Sequence, residues 1–130
     1  MYEQPSGCTA VLTARTEHQD GIAVVVVTGE IDRMTDESPL REALDAVRRG
    51  PSGVVIDLEA VSFFGSTGIN LLITVERLAT SMNVPFAVVA GGQRVLKPLE
   101  MTGVDALLSL HPSRVDAFLA LRSVPRPRRG

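Results

Sequence analysis

Gly53-Val54-Val55-Ile56-Asp57-Leu58, then Glu59-Ala60-Val61-Ser62-Phe63-Phe64-Gly65, then Ser66-Thr67-Gly68-Ile69: the chain passes from a β-branched apolar run, through a mixed segment, into a small hydroxyl-rich turn. Gly53 to Leu58 reads as a buried strand and Glu59 to Gly65 as a loop. A long helix is predicted from near Ser66, because Leu71, Leu72, Val75, Leu78, Ala79 and Met82 fall on one broad helical face. A strand feeding an amphipathic helix is the first half of a β-α-β unit.

Working outward, Pro85 to Ala90 is a fourth strand, and Gly91-Gly92 turns the chain into a short helix around Arg94 to Met101. A fifth, weak strand is expected near Ala106 to Leu110. His111-Pro112-Ser113 caps a last helix, with Val115, Phe118, Leu119 and Leu121 expected to face inward. Upstream, a β-prone stretch from about Thr9 to Glu17 meets the turn Gln19-Asp20-Gly21 and then Ile22-Ala23-Val24-Val25-Val26-Val27-Thr28. The two read as a hairpin, the second strand buried on both faces. Gly29-Glu30-Ile31-Asp32 ends it. Thr35-Asp36-Glu37-Ser38-Pro39 opens a helix with Leu40, Ala43, Leu44 and Val47 inward, stopped by Gly50-Pro51.

The order β-β-α-β-α-β-α-(β)-α predicts a single α/β domain: a mixed sheet of four to five strands with helices packed against it. Residues 9–121 form that domain, 1–8 a flexible N-terminus and 122–130 a flexible tail rich in Pro and Arg. Helical crossovers make the second, third and fourth strands parallel. The loops after strands two (Gly29 to Thr35) and three (Glu59 to Thr67) must then be neighbours at one edge of the sheet. A working surface belongs there.

Ser66 is the residue to weigh at that edge. A serine before a helix is in the first place an N-cap. The same position tolerates negative charge, because a helix N-terminus favours it. Gly65 and Gly68 read as leaving the backbone uncrowded, open to a partner. Gly-Ser-Thr-Gly-Ile has neither the spacing nor the lysine of a P-loop. Asp32 is a turn carboxylate by its local sequence, and Asp57 a strand-end or turn residue. His18 and His111 are far apart and belong to no ligand cluster, so no metal site and no cofactor are expected. Neither a Ser-His-Asp nor a Cys-His set is in view, so the chain does not read as an enzyme.

Composition bounds the rest. The 130 residues are 45% hydrophobic, without Trp and with 4% aromatics, so the interior is built from Val, Leu, Ile and Ala. The longest apolar run, Ile22 to Val27, is strand-sized, and no membrane partner is expected. Cys8 is the single cysteine and Met1 to Cys8 lacks the order of a signal peptide, which points to the cytoplasm. Up to Leu121 the chain holds nine Lys and Arg against all fifteen Asp and Glu, a net of −6; Arg122, Arg126, Arg128 and Arg129 follow. A body of that sign repels phosphate backbones, so nucleic acid is not a direct partner.

Gly29-Glu30-Ile31-Asp32 after a valine-rich strand, together with Val55 through Ile69, resembles the STAS-domain anti-sigma-factor antagonists, over about Thr9 to Leu121. The resemblance implies a binding module. Its partner would be an anti-sigma factor that is also a serine kinase of the histidine-kinase-like ATPase fold. Binding regulates sigma-factor-dependent transcription. It implies phosphorylation at Ser66, with Thr67 as the second choice, reversed by a metal-dependent serine phosphatase. Asp32, Gly65, Ser66, Thr67 and Gly68 become the partner-binding residues, on a monomer or weak homodimer. The family commonly has an aspartate where this chain has Gly65; its absence removes both a possible partner contact and a like charge beside the phosphate. The alternative is a scaffold or sensor subunit of a larger signalling assembly with no sigma-regulator partner.

Overall fold

The protein is described by a computed structural model covering residues 13–31 and 38–123. Five strands and four helices alternate along it: β1 (Thr13–Gln19), β2 (Ile22–Ile31), α1 (Ser38–Arg48), β3 (Gly53–Phe64), α2 (Ser66–Ser81), β4 (Phe86–Val89), α3 (Gln93–Thr102), β5 (Leu110–His111) and α4 (Arg114–Ser123). The sheet order follows the chain, β1-β2-β3-β4-β5. Only β1 runs antiparallel to its neighbour; β2 through β5 are parallel.

The hairpin follows from its turn chemistry. Asp20 and Gly21 have φ of 54° and 80°, the pair of positive values that a tight two-residue hairpin requires, and Asp-Gly adopts them at low cost. β2 then lies second in the sheet with both faces covered, as its valine run requires. Ala23, Val25 and Val27 point into the core beneath α1, α2 and α3. Ile22, Val24 and Val26 point to the other face, where Ala117, Phe118 and Leu121 of α4 cover them with Val55, Ala87 and Val89. The two-layer burial explains why the strand alternation is invisible in the sequence: both sets are apolar.

Several expectations need correction. β3 does not end at Leu58 but continues to Phe64, so the segment Glu59–Phe64 is strand and not loop. Two register shifts account for the misreading, between Val26 and Thr28 and between Gly29 and Glu30 of β2. Each leaves an extra residue in β3, so Glu59 and Ala60 are both exposed, and strict alternation is lost. Gly29, at the second shift, has φ 106°, which a side chain would disfavour. The fifth strand is Leu110–His111, because Val104–Leu107 closes into a 3-10 turn. Among the described side chains of α4 only Ala117, Phe118 and Leu121 are buried; Val115 and Leu119 are 68% and 56% exposed. A ten-residue helix laid on a sheet buries one narrow face. That helix also runs through Arg122, which forms an ion pair with Asp20 of the hairpin turn at 2.7 Å, so the tail cannot begin at 122. The expected strand residues Thr9 to Leu12 lie outside the described residues.

Candidate functional site

The edge predicted to carry function is built by the extension of β3. Beyond the bulges, Glu30 pairs with Phe63 and Ile31 with Phe64, so both parallel strands leave the sheet at the same level. Asp32 lies outside the described residues, but the chain enters it from the position paired with Phe64, and Phe64 is followed directly by Gly65-Ser66. Ser62 Oγ donates to the Gly29 carbonyl at 3.3 Å, a second tie between the two strand ends.

Ser66 is the first helical residue of α2, and the N-cap is Gly65, with extended φ and ψ and no side-chain capping bond. This corrects the placement of Ser66 as the cap. The Gly65 carbonyl accepts from the N–H groups of Gly68 (3.0 Å) and Ile69 (3.2 Å), closing the first turn. Its φ of −111° is open to any residue, so the backbone does not demand glycine there. Gly68 differs. It is buried, and a Cβ on it would lie 2.5 Å from Cε1 of Phe64, a ring that is itself buried. The absence of a side chain at 68 makes room for Phe64. It does not open the backbone to a partner.

Asp57 is the one buried charged residue among the described residues and no strand-end residue at all. It sits within β3, opposite Val26 and Val89, on the α4 side of the sheet. Arg114 Nε donates to Oδ2 at 2.6 Å, and the Glu59 N–H at the first bulge donates to Oδ1 at 3.0 Å. Arg114 Nη1 also reaches Glu17 Oε1 at 3.1 Å, and Glu17 Oε2 takes Arg15 Nη2 at 2.8 Å. The guanidinium of Arg15, then that of Arg114, holds the Glu17 carboxyl below its ordinary value. The Asp57 carboxylate in turn raises Arg114. This clasp joins β1, β3 and α4 and fixes the bulge at which β3 turns towards Ser66. The sequence signal was an acid inside an apolar strand, which burial requires to be paired; the partner, 57 residues on, carried no local mark.

The same edge adjoins two clefts between β3 and α3. One, of about 480 Å³, lies between Leu58-Glu59 and the start of α3 at Gly92-Gln93. The other, of about 380 Å³, is lined by Ser62, Phe64, Gln93, Arg94, Lys97 and Pro98. Sequence reasoning passed over Arg94 and Lys97, although their spacing of three places them on one helical face. No group of three or more His, Cys, Asp and Glu suited to a metal is formed among the described residues. His111 Nε2 is engaged by Ser109 Oγ at 2.7 Å. None of the described helices is long and apolar enough to cross a membrane.

Comparison with known proteins agrees with this architecture. Residues 13–117 match the family model of the STAS domain. The anti-sigma-F factor antagonist RsfB of Mycobacterium tuberculosis is 36% identical over 113 residues, covering 85% of this chain and 90% of the relative. An anti-sigma F factor antagonist of Paenibacillus polymyxa is 25% identical over 114 residues, 87% of this chain and 97% of its own. Among solved structures, an anti-sigma factor antagonist from Mycobacterium paratuberculosis superposes with a TM-score of 0.79 at 37% identity, covering 86% of this chain and 95% of that one. With the antiparallel first strand, the parallel remainder and the Phe64-Gly65-Ser66 edge in place, the match spans every described element but the end of α4, and the chain belongs to the STAS domain family.

Proposed function

We propose that this protein is an anti-sigma-factor antagonist, which binds an anti-sigma factor through the edge at Asp32 and Gly65-Ser66-Thr67 and so regulates sigma-factor-dependent transcription. The observation that carries the reading is the pairing of Ile31 with Phe64, which brings the two family motifs to one end of the sheet. The similarity to RsfB supports the choice of partner class. The partner is an anti-sigma factor that is also a serine kinase of the histidine-kinase-like ATPase fold, with Ser66 its phospho-acceptor and Thr67 the second choice. A metal-dependent serine phosphatase reverses the modification. The protein itself catalyses nothing and works in the cytoplasm as a monomer or weak homodimer.

The physical logic of the switch is local. Phosphate adds about −1.5 to −2 charges. At the first residue of α2 the helix N-terminus tolerates that charge, so the domain stays folded. Within a partner contact the same charge must be desolvated, which costs several kcal/mol when it is unpaired. The modification therefore blocks binding without reshaping the protein.

The test is to express each anti-sigma factor of that fold from the source genome and measure binding by calorimetry. Wild type and Ser66→Ala are expected to bind one of them, and Ser66→Asp to bind it at least about tenfold more weakly, equivalent to about 1.4 kcal/mol. Equal affinity for wild type and Ser66→Asp would remove Ser66 from the switch. Absence of binding to all of them would remove the function.

A further inference from the structure

We infer that the cleft between the end of β3 and α3 is a second half of the docking surface, receiving an acidic segment of the partner beside the Ser66 edge. The inference rests on the proposed function for the partner's identity, and on the cleft itself for its chemistry.

The cleft of about 380 Å³ has a floor of Phe64 and Pro98 and a rim of Gln93, Arg94 and Lys97, with no carboxylate among its lining residues. Arg94 and Lys97 are exposed, and neither side chain is engaged in an ion pair among the described residues. Four other cations are spent internally: Arg15 and Arg114 on Glu17 and Asp57, Arg48 on Asp45, Arg122 on Asp20. Exposed Arg49 and Arg77 line neither cleft and serve as controls for non-specific attraction. Up to Leu121 the chain carries a net −6, a balance that disfavours acidic partners in general. A cleft whose polar rim is cationic, on a protein of the opposite sign, selects anionic partners by contrast with its surroundings. Its apolar floor adds a seat for an aliphatic or aromatic side chain.

Position links the cleft to the edge. Phe64 contributes to its floor and Ser62 to its wall, and the next residues are Gly65 and Ser66. A partner held at the edge therefore runs along the cleft without leaving the surface.

Two measurements on the full chain test the inference. In the first, the isotope-labelled protein is titrated with a short, end-blocked peptide of Glu, Asp and Leu. Saturable amide shifts are expected at Ser62, Gln93, Arg94 and Lys97, fading as salt is raised. Shifts that are absent there, or that gather instead at Arg49 and Arg77, overturn the inference. In the second, the double variant Arg94→Glu with Lys97→Glu is compared with wild type for binding to the anti-sigma factor, with thermal melts confirming equal folding. At least tenfold weaker binding at low salt, narrowing at high salt, supports the cleft. Unchanged affinity overturns it while leaving the antagonist function standing. If wild type binds no anti-sigma factor, the functional reading fails and the peptide titration alone decides whether the cleft takes acidic chains.

Discussion

Gly65 and Gly68 flank the same serine and threonine, yet the backbone treats them differently. Gly65 occupies an extended N-cap position without a capping side chain. Aspartate is a better cap than glycine by a few tenths of a kcal/mol and suits the helix dipole. Gly65→Asp is therefore expected to raise the melting temperature slightly, or leave it unchanged, while restoring the carboxylate common in the family; thermal melts and kinase assays on the one variant separate the two effects. Gly68 is the opposite case. Its missing Cβ makes room for a buried ring, and Gly68→Ala forces Phe64 to move. A loss of about 1–3 kcal/mol in urea melts is expected, the usual cost of overpacking. Pairing it with Phe64→Leu, which removes the ring, is expected to recover part of that loss. Because Ser66 is not the N-cap, Ser66→Ala is expected to cost less than the roughly 0.5–2 kcal/mol of a lost cap.

Between elements, Arg114 of α4 is tied to the buried carboxylate of Asp57 in β3 at 2.6 Å. Asp57 is 4% exposed and answers to α4 and to its own bulge at once. Arg114→Met leaves that carboxylate buried with a single backbone donor, and a loss of about 2–4 kcal/mol is expected. Asp57→Asn keeps an acceptor for the Glu59 N–H, so adding it to Arg114→Met is expected to restore stability in part; additive losses in the double-mutant cycle would show that the two residues are not coupled. Glu17, at the outer end of the clasp, gives the pH signature. Its folded pKa lies below the ordinary 4.5, first through the bond from Arg15 and then through that from Arg114. Its contribution is complete above the unfolded carboxylate value and is lost as pH falls through the lower folded value. Glu17→Gln is thus expected to flatten the acid limb of the stability profile below about pH 4.5 and to leave its slope near pH 7 unchanged.

At the scale of the whole molecule, the stability of the domain rests on two apolar layers against one sheet, and no group of three or more His, Cys, Asp and Glu suited to a metal forms among the described residues. Chelator is expected to leave the melting temperature unchanged; a drop of several degrees would show that a metal contributes. The sequence by itself determined the element order, the hairpin, the parallel centre of the sheet and hence the edge where Ile31 and Phe64 meet. Those are products of short-range rules: turn chemistry at Asp20-Gly21, helical spacing in α1 and α2, and the reach of crossover connections. Tertiary structure alone decided the rest. β3 continues past Leu58 because β2 pairs with it across two bulges, and a bulge breaks the period by which a strand is recognised. Val115 and Leu119 face outward because the sheet offers α4 only a narrow strip to cover. Asp57 found Arg114, and Lys97 came to stand beside Ser62 and Phe64, because the fold closes distances along the chain that no local pattern encodes.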